Sequence, residues 1–308
     1  MFLDKIIYDE KNWNNVSLLN GFYEYCYLES IHFFQKNLKN IEIIISGLSY
    51  GLDDIDANEL KKPAINFSMH SQDLYYDIRH ILMAISDDTN GMIKDCIFTF
   101  GYYSLFYDLS KTTNKNKCAF TYYPLFRDLH NYDIEKEGLV KIITSLNHPD
   151  FVYFYHDFFI NNPSFYGPAI RMEQTISSEI LKNGGWSKLS QKQKWEDAEK
   201  LTNLHNKHIN HNETFIENVN NLREIFGFLE QSNIRIHVMV MPFSKEYCNL
   251  INPQYKSIIL DTLNLFEQTI NFIDFNDYDF FDEDDYLNSD HLNKNGAKKM
   301  SGILNSLL

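Results

Sequence analysis

Three short apolar runs recur along the chain: Ile41–Ser46 (IEIIIS), Asp95–Gly101 (DCIFTFG) and Ile234–Met241 (IRIHVMVM). A strand with one wet face alternates polar and apolar residues. Ile43-Ile44-Ile45 does not alternate, which marks a strand covered on both faces. Helical spacing fills the gaps, in Leu18–Leu38, Asp73–Ile85, Lys256–Thr269 and Lys294–Leu308, with a further short strand at Asn271–Phe275. Strands that alternate with helices connect through right-handed crossovers. The expected fold class is therefore α/β, a three-layer α/β/α sandwich around a central parallel sheet. Such sheets hold ligands beyond the carboxyl ends of their strands, where Ser49, Tyr102, Tyr103 and Pro242-Phe243-Ser244 would gather.

The middle of the chain is looser. Residues 110–190 read as a helical and aromatic insertion, a lid region within a single domain spanning 1–308. Its marks are the polar loop TTNKNK at 112–117 and the aromatic crowd at 150–166. After it, Gln191–Leu204 reads as a charged exposed helix and Asn212–Leu229 as an amphipathic one. At 44% hydrophobic and 15% aromatic, the chain can bury a sizeable core. Its net charge of −14 argues against nucleic acid and anionic membrane surfaces as partners. Cys26, Cys96, Cys118 and Cys248 are widely spaced, which suits free thiols. The N-terminus carries no apolar targeting run and no segment reaches the length of a membrane span, so a cytoplasmic location is expected.

Two segments carry chemistry. The first strand ends in Gly47-Leu48-Ser49-Tyr50-Gly51, and the polar stretch DYLNSDHLNKNGAKKM (285–300) holds His291 just before the last helix. If that helix packs beside the first strand, the serine and the histidine meet. A serine hydroxyl is a weak nucleophile until a neighbouring base takes its proton, and an acid or amide must fix the tautomer of that base.

In this order the two segments resemble the opening and closing blocks of the SGNH/GDSL hydrolase superfamily. The resemblance implies a flavodoxin-like α/β/α fold, with Ser49 as nucleophile and His291 as base. The family's closing block is Asp-x-x-His, and here Asn288 stands three residues before His291. Asn288 would orient the imidazole through its side-chain oxygen, with Asp290 or Asp285 as the alternative acid. Ala64–Leu74 (AINFSMHSQDL) resembles the second block, with Met69-His70 where the family places an oxyanion-hole glycine. Phe98–Ser110 occupies the third block, with Tyr102 or Tyr103 near the family's missing asparagine. His70, Tyr102 and Tyr103 are accordingly the expected oxyanion or substrate residues.

The implied activity is ester hydrolysis through an acyl-enzyme, acting on an O-acyl, chiefly O-acetyl, ester of a carbohydrate. The alternatives are a glycan O-acyltransferase of surface-polysaccharide synthesis, with acetyl-CoA as a possible donor, and a catalytically decayed carbohydrate-binding protein. No cofactor or metal is expected. On an α-helix, His205-x-x-His208-x-x-His211 would fan over about 120° and spread about 9 Å along the axis, too far for one ion. His156-Asp157 reads as core or lid packing. Asp282–Asp285 lacks the spaced ligands of a calcium loop, and no phosphate-binding glycine loop is present.

Overall fold

The structure is a computed structural model that describes residues 40–115, 117–133 and 185–308. The helix expected at 18–38 and His156-Asp157 lie outside those residues, as does most of the 110–190 stretch. The chain divides into two compact units, Met1–His32 with Asp108–Gln174, and Phe33–Tyr107 with Thr175–Leu308.

The second unit holds a five-stranded, wholly parallel sheet in the order β2-β1-β3-β4-β5. The strands are β1 Ile43–Gly47, β2 Ala64–Asn66, β3 Asp95–Phe100, β4 Arg235–Val240 and β5 Ile270–Asp274. The helices are α1 Ser49–Asp54, α2 Leu74–Asp87, α3 Gln191–His205, α4 Asn212–Gln231, α5 Lys245–Leu250, α6 Gln254–Leu263 and α7 Lys294–Leu307. β1 and β3 are buried along their whole length, as continuous apolar runs require. Ile45 pairs with Ile97, and Ile97 with His237, so the register holds the three inner strands side by side. α2 and α4 pack together against β1 and β4, while α1 and α7 pair as the other helical layer.

Local chemistry sets the helix ends. Asp73 caps α2 through the Tyr76 N–H, and Ser190 opens α3 in a reciprocal capping box with Gln193. Asn293 caps α7 through the N–H groups of Asn295 and Gly296. The helix expected to run from Lys256 to Thr269 stops at Leu263. Edge strand β2 carries no apolar run of its own and is held by its pairing with β1. Among the described residues no helix is long and apolar enough to cross a membrane.

In the first unit the described residues run from Asp108 to Asp133. They form a tight turn at Leu109–Lys111, a wide helical turn at Cys118–Tyr122 and a short helix at Tyr123–Phe126 that ends on left-handed Arg127. Buried Asp108 organises this stretch. Its carboxylate accepts from the Ser110 N–H and hydroxyl and from Asn131, and it pairs with Lys111 at 3.1 Å.

Candidate active site

β1 delivers Ser49 to the first position of α1, at the carboxyl edge of the sheet. The glycines around it are there for space. A Cβ on Gly47 would lie 2.0 Å from Thr99 Oγ1, and one on Gly51 would lie 2.1 Å from Ser68 Oγ. The turn therefore presses directly on β3 and on the loop after β2, and a side chain at either position would collide with Thr99 or Ser68.

His291 comes from the loop before α7, which is folded as a tight hairpin. Tyr286 and Leu292 form an antiparallel bridge, and the Leu287 N–H donates to His291 O at 2.8 Å. Asn288 closes the turn: its Oδ1 accepts from the N–H of Asp290 at 3.2 Å and of His291 at 2.8 Å. This is an Asx-type turn. The side-chain oxygen expected to orient the imidazole is thus spent on the backbone. Beyond the histidine, the Leu292 N–H donates to Asp54 Oδ1 at 2.8 Å, which ties the hairpin to α1.

This folding brings three expected residues into one line. His291 Nε2 lies 2.8 Å from Ser49 Oγ, and His291 Nδ1 lies 2.8 Å from Asp290 Oδ1. An ionised carboxylate only accepts, so Nδ1 carries a proton, and in the neutral ring Nε2 is left to take one from the serine. Ser49 is 9% exposed. Asp285, the other acid considered, points elsewhere: its Oδ2 lies 2.6 Å from Lys299 Nζ.

The electrostatics are one-sided. Burial opposes a charge on His291, but the Asp290 carboxylate and its hydrogen bond, with Asp54 and Asp53 behind, push the imidazole up to about 10. Burial likewise opposes the Asp290 charge, and the imidazolium beside it holds that carboxyl below its ordinary value. Burial drives the Asp54 carboxyl well above the usual carboxylate range, against the opposing pull of His291 and the Leu292 N–H. Asp53 also acts on His291, with its Oδ2 3.8 Å from Nε2.

The remaining expected residues divide. His70 reaches the mouth of the site through Asp53, with Nε2 3.4 Å from Oδ2. Tyr102 turns toward β5, where its hydroxyl donates to Asp274 at 2.9 Å. The Tyr103 hydroxyl lies 3.3 Å from that of Tyr50, behind the triad. Of the N–H groups on the two expected oxyanion loops, Ser68 donates to Asn66 Oδ1, Met69 to Gly47 O and Gly101 to Ser104 Oγ. Those three are committed to holding the loops. The Ser49 N–H sits at the start of α1, where a helix has no intrahelical acceptor to offer.

Sequence reasoning does not single out Tyr50, Tyr247 or Asp53, nor His205 as a neighbour of the site. The adjacency of Tyr50 to Ser49 and the position of Asp53 one helical turn further on are the available signals. The histidine triplet also differs from expectation. Asn206–Asn210 is a 3-10 helix, in which residues three apart eclipse rather than fan. His205 and His208 consequently stack on the same ring, Tyr103, at 4.1 Å and 5.4 Å.

No family model matches the chain, and no curated protein matches it. Among solved structures it is similar to a provisionally named platelet activating factor from Streptococcus pneumonia, with 11% identity, 95% of each chain covered and a TM-score of 0.43. Likeness at that level bears on neither activity nor substrate.

Proposed function

We propose that this protein is a serine esterase of SGNH type, in which Ser49 attacks an ester carbonyl, His291 takes its proton and Asp290 holds the imidazole. The observation that carries this reading is the unbroken line Ser49 Oγ–His291 Nε2 and His291 Nδ1–Asp290 Oδ1, each contact at 2.8 Å. Attack forms the Ser49–carbon bond. Collapse of the tetrahedral intermediate then expels the alcohol, which leaves with the proton that His291 returns. The Ser49 N–H at the start of α1 is the donor best placed for the oxyanion. Water repeats the sequence on the acyl-enzyme and regenerates Ser49.

An O-acetyl ester of a carbohydrate is the substrate class that the SGNH resemblance suggests. The same acyl-enzyme would serve a transferase if a sugar hydroxyl replaced water and acetyl-CoA supplied the acyl group. A carboxylate at hydrogen-bond distance from the imidazole supports a working enzyme over the decayed binding protein, since it answers one of that alternative's two grounds, Asn288 in place of the acid, and leaves the other, the missing third-block asparagine.

Reaction with a fluorophosphonate tests the nucleophile. Wild type should label on Ser49, and Ser49→Ala should lose labelling while retaining its fold by circular dichroism. Labelling that survives the substitution sinks Ser49. Turnover of acetylated sugars, measured with and without acetyl-CoA and acceptor glycan, then separates hydrolysis from transfer.

A further inference from the structure

Asp290 and His291 are neighbours in the chain, and that makes their contact a property of the backbone. Successive residues of an extended chain send their side chains to opposite sides. For Asp290 Oδ1 to sit 2.8 Å from His291 Nδ1, the segment must be held in a bend. Four consecutive N–H groups hold it, each donating to a side-chain oxygen. Ser289 donates to Asp197 Oδ2 at 3.0 Å, and Leu292 to Asp54 Oδ1 at 2.8 Å. Between them, Asp290 and His291 donate to Asn288 Oδ1 at 3.2 Å and 2.8 Å. Asn288 belongs to the hairpin itself. Asp197 and Asp54 come from outside it, on α3 and α1, and they take the two ends of the segment.

Ser289 and Leu292 are buried, so their N–H groups are cut off from bulk water and need a protein acceptor. Asp54 is buried as well. Its Oδ1 takes the Leu292 bond, while Oδ2 has no hydrogen-bond partner among the described residues. A carboxyl buried with one oxygen unmet is costly, so packing by itself would favour an apolar residue at this position. Asp54 is also the last residue of α1, and Ser49 is the first. One short helix thus carries the nucleophile at one end and, about 7.5 Å along its axis, the bond to the neighbour of the base. Burial pushes both the Asp54 and the Asp197 carboxyls above their ordinary value. A carboxylate, a carboxylic acid and an amide all offer an oxygen, so the hold needs an acceptor rather than a charge.

We propose that Asp54 and Asp197 are positioning residues for the acid–base pair, clamping segment 289–292 at both ends so that Asp290 stays on His291 Nδ1. The proposal rests on Asp290 and His291 being the acid and the base. Asp54 ties the residue after the base to the helix of the nucleophile, and Asp197 fixes the residue before the acid. Loss of either bond frees one end of the segment and lets the Asp290 carboxylate swing off Nδ1. The ring can then adopt its other tautomer, in which Nε2 carries the proton and cannot take one from Ser49.

Proton NMR on the full-length chain tests the clamp without any turnover measurement. A proton held between Nδ1 and a carboxylate resonates far downfield of ordinary N–H protons. Wild type should show such a signal from His291, assigned by its loss in His291→Gln. Asp54→Leu and Asp197→Leu remove an acceptor, and each should abolish the signal and slow fluorophosphonate labelling per folded molecule by about 10–10²-fold. Asp54→Asn and Asp197→Asn keep an acceptor, so the signal should survive and labelling should stay within about threefold of wild type. Rates are compared as plateau values above the acid limb, where a change in His291 basicity does not enter. A residue that only stabilises the fold would lower urea resistance in its leucine variant and leave signal and labelling unchanged. That result overturns its part in the clamp, as does an asparagine variant as impaired as the leucine one. If a leucine variant does not fold, wild type decides. Its Ser289 and Leu292 amide protons should exchange at least about 100-fold more slowly than in an unfolded chain, and unprotected amides overturn the clamp. A wild type that labels with no fluorophosphonate sinks the esterase reading, while the downfield signal and the amide exchange still decide the clamp.

Discussion

The sheet carries an aspartate–histidine pair at each end, and the two are built to opposite ends. At the amino edge Asp95 Oδ1 lies 2.9 Å from His237 Nε2, while Arg235 grips the same carboxylate through two contacts of 2.6 Å. At the carboxyl edge Asp290 meets His291 at 2.8 Å, but its other oxygen meets a phenol, and more acids stand nearby. Burial opposes the Asp95 charge, yet His237 and Arg235 hold its carboxyl far below the ordinary range. A bidentate guanidinium satisfies a carboxylate permanently. Among the described residues Asp290 has no such partner. Its histidine is the one compensating cation they place in contact with it, and the far nitrogen of that ring faces a serine. The first arrangement is at rest. The second is completed only when a proton arrives, as the proposed role of general base requires.

Removing each acid should separate the two. Asp290→Asn should lower the rate of fluorophosphonate labelling by about 10²–10⁴-fold, because the amide no longer enforces the Nδ1–H tautomer or stabilises the imidazolium. Asp95→Asn should leave the labelling rate per folded molecule unchanged and lower stability by about 3 kcal/mol in urea unfolding, since Arg235 and His237 lose their shared anion. A labelling loss under tenfold for Asp290→Asn would move the acid elsewhere in the hairpin. Equal labelling losses in both variants would show that the second reports folding rather than chemistry.

The strands were legible because burial on both faces leaves an unmistakable residue pattern, as in Ile43-Ile44-Ile45. Three-residue β2 and six-residue α1 and α5 are too short to show a period, and their existence depends on the neighbours they pack against. Ser49 and His291 could be read as candidates from two local segments. The placement of Asp290 could not, because a residue adjacent to its histidine reaches Nδ1 only if the loop doubles back, and that depends on Asn288 capping a hairpin. A count of three residues back from His291 finds the cap instead. Tyr50 and Asp290, like Tyr247 and His205, are far apart in the chain, and nothing short of the assembled fold brings their polar atoms together. For the histidine triplet the spacing was visible but the helix type was not. The same i, i+3 positions diverge on an α-helix and align on a 3-10 helix.

The smallest expected effect is also the one with the sharpest sign. Held up to about 10, His291 binds its proton more tightly in the fold than in the unfolded chain, where an imidazole titrates near about 6.5. Its contribution to stability is therefore fully present below about pH 6.5 and is lost as pH rises through the folded value. The base form is gained over the same interval, so labelling should quicken with pH while resistance to urea declines. Asp53, 3.8 Å from Nε2, is one of the charges responsible. It is 26% exposed and shares its carboxylate with His70, which weakens the field it exerts. With that discount, Asp53→Asn should move the acid limb of the labelling profile down by on the order of one pH unit. Tyr50→Phe takes a donor from Asp290, leaves more of that charge to His291 and should move it up. The opposite signs matter more than either size: a merely loosened site would slow labelling at every pH without displacing the limb. If Asp53→Asn leaves the limb in place, the carboxylate belongs to His70, and the upward push on His291 comes from Asp290 and Asp54.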